Sequence, residues 1–207
     1  MITNNGVKLL CSHYRLRCFL NHCSLQIHME PGKFYHVYNR GNNKENIFFE
    51  ERNYHHFLKL FDKYLLSFVE VYAYCLMPNH FHFLIRVKEN TIDQGGFKNH
   101  PGLNEAFKYF FMSYAKAINK SYNRTGSLFQ QKFKRKEITD DAYFTEIILY
   151  IHSNPLKAGL CKNYEEWQYS SYQAIVNNNT TKINRDDTLK WFGNKDLFIK
   201  VHLDKLQ

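Results

Sequence analysis

The sequence predicts an α+β fold: one antiparallel sheet with helices packed on one face. Two observations predict it. The segments run strand, helix, hairpin, helix, basic strand, helix, and two of the strands are joined directly through Met77-Pro78-Asn79, so they pair as a hairpin. No internal repeat argues for a solenoid or an array.

The elements follow in order. Phe34-Tyr35-His36-Val37-Tyr38-Asn39-Arg40 reads as a first strand, ended by the turn chemistry of Gly41-Asn42-Asn43. Glu50 to Ser67 reads as a helix, because Tyr54, Leu58, Phe61 and Leu65 recur at helical spacing. Val69 to Leu76 is a second strand. His80 to Val87 is a third, rich in aromatic and branched residues and free of Gly and Pro. Residues 88–102 are polar and form a loop. Leu103 to Tyr122 is a second long helix, with Phe107, Phe110, Phe111, Tyr114 and Ile118 on its buried side. Leu128 to Ile138 suits a basic strand or loop. Asp140 to Ser153 is a third helix, opened by Thr139-Asp140-Asp141 and closed by Pro155. Asn177-Asn178-Asn179-Thr180-Thr181 is a polar linker, and residues 188–207 form a short amphipathic tail helix.

Composition narrows the function. The chain has 207 residues, a formal net charge of +9 and an aromatic content of 17%. That charge favours a polyanionic partner, nucleic acid or an anionic surface. No apolar run approaches the roughly 20 residues needed to span a membrane, so nucleic acid is preferred. Five cysteines, an odd number without a secretory signal, point to a reducing, cytoplasmic setting. Cys11, Cys18 and Cys23, with His13, His22 and His28, match no standard zinc spacing. Residues 1–28 are therefore read as a disordered extension, or as upstream sequence with the true start at Met29, 29–176 as the main domain and 177–207 as linker and short C-terminal helix.

Chemistry concentrates in two places. His80 and His82 are two apart on a strand, so they share a face, roughly 7 Å apart along it. Phe81, Phe83, Ile85 and Val87 take the other face. Two imidazoles side by side on a rigid strand make half of a metal site, although a histidine in a strand can equally be a satisfied structural residue. Tyr150 and Asn154 lie four apart on the third helix, hence on one helical face. The two imidazoles with an amide oxygen and a phenol suit Mg²⁺ or Mn²⁺ and a phosphodiester. A tyrosine held in line with the phosphorus can act as nucleophile. Tyr114 and Tyr122 are rivals, but residues 118 and 126, four positions on, are Ile and Gly. Tyr143 reads as packing, His152 as a surface residue or phosphate contact, and Asn154 has a second reading as a helix cap before Pro155.

These residues carry a resemblance. Phe34 to Gly41, Met77-Pro78-Asn79-His80-Phe81-His82, Gly126-Ser127-Leu128-Phe129-Gln130 with Phe133-Lys134, Tyr150 to Leu160 and Trp167 to Tyr172 stand in order over about residues 34–172. As a set the sequence resembles the single-tyrosine transposases of the histidine–hydrophobic–histidine (HUH) superfamily, and among them the REP-associated tyrosine transposases. The resemblance implies a ferredoxin-like sheet with the tyrosine on an adjacent helix. It implies His80, His82 and Asn154 as metal ligands and Tyr150 as nucleophile. It implies cleavage of single-stranded DNA near a hairpin, through a 5′-phosphotyrosine and a free 3′-hydroxyl. Some relatives work as homodimers with the tyrosine supplied by the partner, others as monomers. Insertion-sequence relatives often carry Gln where Asn154 stands. The aromatic-interleaved basic run Phe129, Lys132, Phe133, Lys134, Arg135 and Lys136, with Arg40 and Arg86, is the expected DNA-binding set. A binding protein without catalysis is the competing reading.

Overall fold

The computed structural model describes residues 29–89, 102–177 and 179–206. The extension over 1–28, with its cysteine and histidine cluster, and most of the loop over 88–102 lie outside the described residues. Strands β1 (Phe34–Arg40), β2 (Val69–Met77), β3 (His80–Val87) and β4 (Lys134–Ile138) form one antiparallel sheet in the order β2-β3-β1-β4. Helix α1 (Glu51–Leu65) joins β1 to β2, and α2 (Leu103–Ser121) joins β3 to β4. The βαββαβ succession with this strand order is ferredoxin-like. It places β1 and β3, the strands that carry the site, in the middle of the sheet.

Alternation along the strands sorts the side chains. Phe81, Phe83 and Ile85 point to the face covered by α1 and α2. Phe61 stacks on Phe83 at 4.4 Å, Phe57 meets Phe81 at 5.1 Å, and Phe110 meets Phe57 at 4.8 Å. Each such ring, fully buried, contributes roughly 1.5–3 kcal/mol. These two helices share one face as expected, but the helices do not all lie there. The opposite face carries Tyr72, Ala73, Cys75 and Leu84, all fully buried, and this apolar surface needs a cover of its own. Helix α3 (Asp141–Lys157) supplies it: Phe144 packs 5.0 Å from Phe34 and 5.6 Å from Tyr72. Asp140 starts α3 by accepting the Tyr143 amide at 2.8 Å.

Pro155 does not close α3 but lies inside its last turn. Proline lacks the N–H that would bond the carbonyl four residues back, that of Ile151. The Asn154 side chain makes up the loss: Nδ2 lies 3.4 Å from the Ile151 oxygen and 2.8 Å from the Tyr150 oxygen.

Beyond residue 171 the chain forms α4 (Tyr172–Val176), α5 (Arg185–Trp191) and α6 (Lys195–Asp204). The expected tail helix is thus a pair of helices packed onto the domain, with Thr188, Phe198 and His202 fully buried. A buried polar chain ties α6 to α3 and β2. The Phe198 carbonyl only accepts, so His202 Nδ1 donates to it at 2.8 Å. His202 Nε2 then accepts from His152 Nδ1 at 2.9 Å, and His152 Nε2 accepts from the Ser171 hydroxyl at 2.8 Å. The Ser171 oxygen accepts the Tyr74 amide at 2.8 Å. His152 is therefore neither a surface residue nor a phosphate contact; it is a structural link behind the tyrosine helix.

Candidate active site

Strand pairing assembles the site. In the β1–β3 register Tyr38 stands opposite His82 and Arg40 opposite His80. His36, Tyr38, Arg40, His80 and His82 therefore share one face. His80 and His82 meet edge to face with ring centroids 5.1 Å apart. Tyr150 lies within the same chain, its ring 5.4 Å from His82 and 6.0 Å from His36. Tyr150 is 40% exposed while His82 is 5% exposed, so the phenol faces solvent above a buried imidazole.

Hydrogen bonds fix how each imidazole is presented. His80 Nδ1 lies 2.6 Å from Asn79 Oδ1, and Asn79 Nδ2 bonds the Lys44 carbonyl at 3.2 Å. The Asn79 oxygen therefore faces His80 and takes its Nδ1 proton, leaving Nε2 as a lone pair. His82 Nδ1 lies 2.8 Å from His36 Nε2, whereas His82 Nε2 is buried without a partner. A proton on Nδ1 is used in that bond; a proton on Nε2 would be wasted. Asn154 spends its N–H donors on the helix carbonyls, so its contact with His80 falls to the oxygen. The three groups thus offer acceptor atoms with no donor among them. Ligating histidines held through their other nitrogen are the usual support of a metal site.

Electrostatics agree. Burial, with Arg40 adding, pushes His80 down to about 4, and a hydrogen bond to the Asn154 oxygen that only the protonated ring can donate partly opposes this. Burial, with Lys136 adding, pushes His36 to about 4. His82 falls well below the usual range through burial and then the neighbouring His36, His80 and Arg40. All three rings are neutral at pH 7, the state in which imidazole binds a cation. Among the described residues no group of three or more His, Cys, Asp or Glu could hold a metal. The set here has two imidazoles and one amide oxygen, a mixed nitrogen and oxygen set whose donor types a divalent transition ion accepts.

A cavity of about 360 Å³ opens here, lined by Tyr38, Asn39, Arg40, His80, His82, Gln130, Lys134 and Tyr150. Gln130 reaches it because its amide bonds the Arg40 carbonyl at 2.9 Å. Gly41 is required at this junction: a Cβ there would stand 2.0 Å from the Glu45 oxygen.

The expected DNA-binding residues divide. β4 alternation puts Lys134 and Lys136 on the site face, opposite Tyr38 and His36. Arg135 goes to the other face, where its guanidinium covers Phe133 at 5.3 Å. Phe133 stacks on Phe107 at 4.8 Å. Arg135 and Lys132 line a separate groove beside α2. Phe129 is not a stacking platform: it is 7% exposed and packs 5.3 Å from Phe111. Arg86 stands at the far end of β3, bonded to Gly32, Glu89 and Glu70, and does not reach the site. Sequence reasoning missed His36 and Tyr38 as site residues. The alternation His36, Tyr38, Arg40 along β1 was the signal that could have found them.

A four-stranded ferredoxin-like sheet thus carries a histidine pair on a central strand, faced by a tyrosine on a covering helix. The chain is 30% identical over 133 residues to a REP-associated tyrosine transposase of Haemophilus influenzae, spanning 63% of this chain and 71% of that one. It also matches the structure of a REP-associated tyrosine transposase bound to a REP hairpin, with TM-score 0.55, 16% identity, 80% of this chain and 86% of that one covered. No family model matches. The chain belongs to the REP-associated tyrosine transposases. Among the described residues no helix is long and apolar enough to cross a membrane.

Proposed function

We propose that the chain cuts and rejoins single-stranded DNA beside a hairpin, with Tyr150 as nucleophile acting on a phosphate held over His80 and His82 of its own chain. The observation that carries this reading is the Tyr150 ring 5.4 Å from His82, exposed on the side of a cavity that also holds Arg40 and Lys134.

The Tyr150 oxygen attacks the phosphorus and its proton passes to water. The bond from phosphorus to the 3′ oxygen breaks, leaving a 3′-hydroxyl on one strand end and a 5′-phosphotyrosine on the other. The reverse attack by a 3′-hydroxyl reseals the strand and frees the phenol, so the bond energy is conserved. Arg40 and Lys134 draw the phosphate in and hold it. Nε2 of His80, Nε2 of His82 and Oδ1 of Asn154 would hold a divalent cation, Mg²⁺ or Mn²⁺. Such an ion, when bound, withdraws charge from the phosphate oxygens. Family membership and a structural neighbour bound to a REP hairpin support a hairpin substrate.

The test uses a labelled single-stranded hairpin oligonucleotide with Mn²⁺. Wild type gives a denaturant-resistant protein–DNA band and Tyr150→Phe gives none. A band of undiminished intensity from Tyr150→Phe would remove Tyr150 from its role. Binding without any band from wild type would instead favour a non-catalytic hairpin binder.

A further inference from the structure

Tyr150 stands between two cavities. The smaller is the one described above. On the other side of the ring a larger cavity, about 500 Å³, follows α3 from Tyr143 to Lys157. Tyr38, His82 and Tyr150 line both, so the two adjoin at these side chains. Apart from the shared His82 and Tyr150, no residue lining the larger one takes part in the cleavage step.

We propose that the larger cavity is a nucleotide pocket, which holds the unpaired nucleotide next to the cleaved phosphate with its base against Tyr38 and Tyr143. The inference rests on the smaller cavity being the phosphate site. Four observations support it. The first is continuity: a strand does not end at its cleaved phosphate, and the adjoining nucleotide must leave through space open to that phosphate. The second is size, since about 500 Å³ lies within the range of sites that enclose a small organic ligand.

The third is wall chemistry. Three tyrosine rings, Tyr38, Tyr143 and Tyr150, with Ile147 and Leu149 make a largely apolar lining, and every base has a face that stacks on an aromatic ring. The fourth is where the charges sit. Lys136 Nζ lies 4.4 Å over the Tyr143 ring and Lys157 Nζ 5.4 Å over the Tyr150 ring. Each ammonium group covers one face of its ring, and Lys157 with Lys205 lines the cavity itself, so the phosphates of a nucleotide stacked on an open ring face have cations within reach. Glu146, the one carboxylate among the lining residues, repels phosphate but accepts from a base N–H. The charge pattern thus orients the occupant, with its base toward Glu146 and its phosphates toward the lysines.

The experiment walks a single abasic residue along the unpaired strand of a hairpin oligonucleotide and reads affinity by fluorescence anisotropy. One position next to the cleavage site should lose roughly tenfold in wild type, the usual size of one lost base–aromatic stack. Tyr143→Ala should bind the intact oligonucleotide roughly tenfold more weakly and be indifferent to that abasic site. Should Tyr143→Ala fail to fold, a photoreactive iodinated base at that position in the wild-type complex replaces it. Cross-linking to Tyr38 or Tyr143 supports the pocket, and cross-linking confined to other residues overturns it. If no abasic position matters while Tyr150 still forms its covalent adduct, the pocket is refuted and the transferase reading stands. If no oligonucleotide yields an adduct, the transferase reading falls and takes the pocket with it.

Discussion

Replacing His202 with Gln should flatten the acid sensitivity of folding. His202 is fully buried at the end of the polar chain through His152 and Ser171, with both rings neutral and every hydrogen-bonding site in use. A further proton has no partner to bind. Burial accordingly holds His202 at about 4, against an ordinary 6.5. The sign follows from linkage. Between those two values the unfolded chain binds the proton and the folded chain does not, so stability is lost as pH falls through 6.5 and the loss levels off near 4. Lowering pH from 7 to 5 should remove about 2 kcal/mol on account of His202 alone. Gln does not titrate, and its amide oxygen can still accept the His152 proton. His36, His80 and His82 act alike in both proteins and drop out of the comparison, and His152, held down first by burial and only then by His202, stays buried and depressed in both. Urea unfolding followed by circular dichroism at the two pH values, without divalent metal, measures the difference. Wild type should lose about 2 kcal/mol more than His202→Gln on acidification. Equal losses within about 0.5 kcal/mol would refute the buried, uncharged assignment of this pair.

Further outcomes are expected. Pro155→Ala restores the N–H that bonds the Ile151 carbonyl, so Asn154 Nδ2 loses one of its two anchors; Mn²⁺ affinity, read by electron paramagnetic resonance, should fall roughly tenfold, as for lost support of a metal ligand, with the fold intact. Because Tyr150 faces His82 of its own chain, mixing Tyr150→Phe with His82→Ala should not restore the covalent adduct, and restoration would mean that the tyrosine acts on a partner's site. Lys134→Gln should lower the salt dependence of DNA binding by about one ion, whereas Arg86→Gln, paired at the far end of β3, should leave it unchanged in a salt titration. Phe129→Ala should cost about 3–5 kcal/mol of unfolding stability, because its ring is core and not a platform for bases.

Sequence by itself determined the α+β class, the extents of β1 and β3, and the pairing of His80 with His82. It did so because strand alternation is a local property: two residues apart means one face, whatever packs above. The Tyr150–Asn154 relation was legible for the same reason, as spacing within one helix. Only the tertiary structure decided what that helix covers. It lies across the second face of the sheet because Ala73, Cys75 and Leu84 need burial there, a demand no single segment reveals. His36 joined the site through a neighbouring strand's register, and the basic run of β4 was split between two faces by the strand's own pleat. Phe129 and Arg86 show the limit most plainly. Residue type suggested nucleic-acid contacts, but burial against Phe111 in one case and pairing with Glu70 in the other were set by residues distant in the chain. Local periodicity is written in the order of residues; partners, burial and charge environment arise only when the strands find their register.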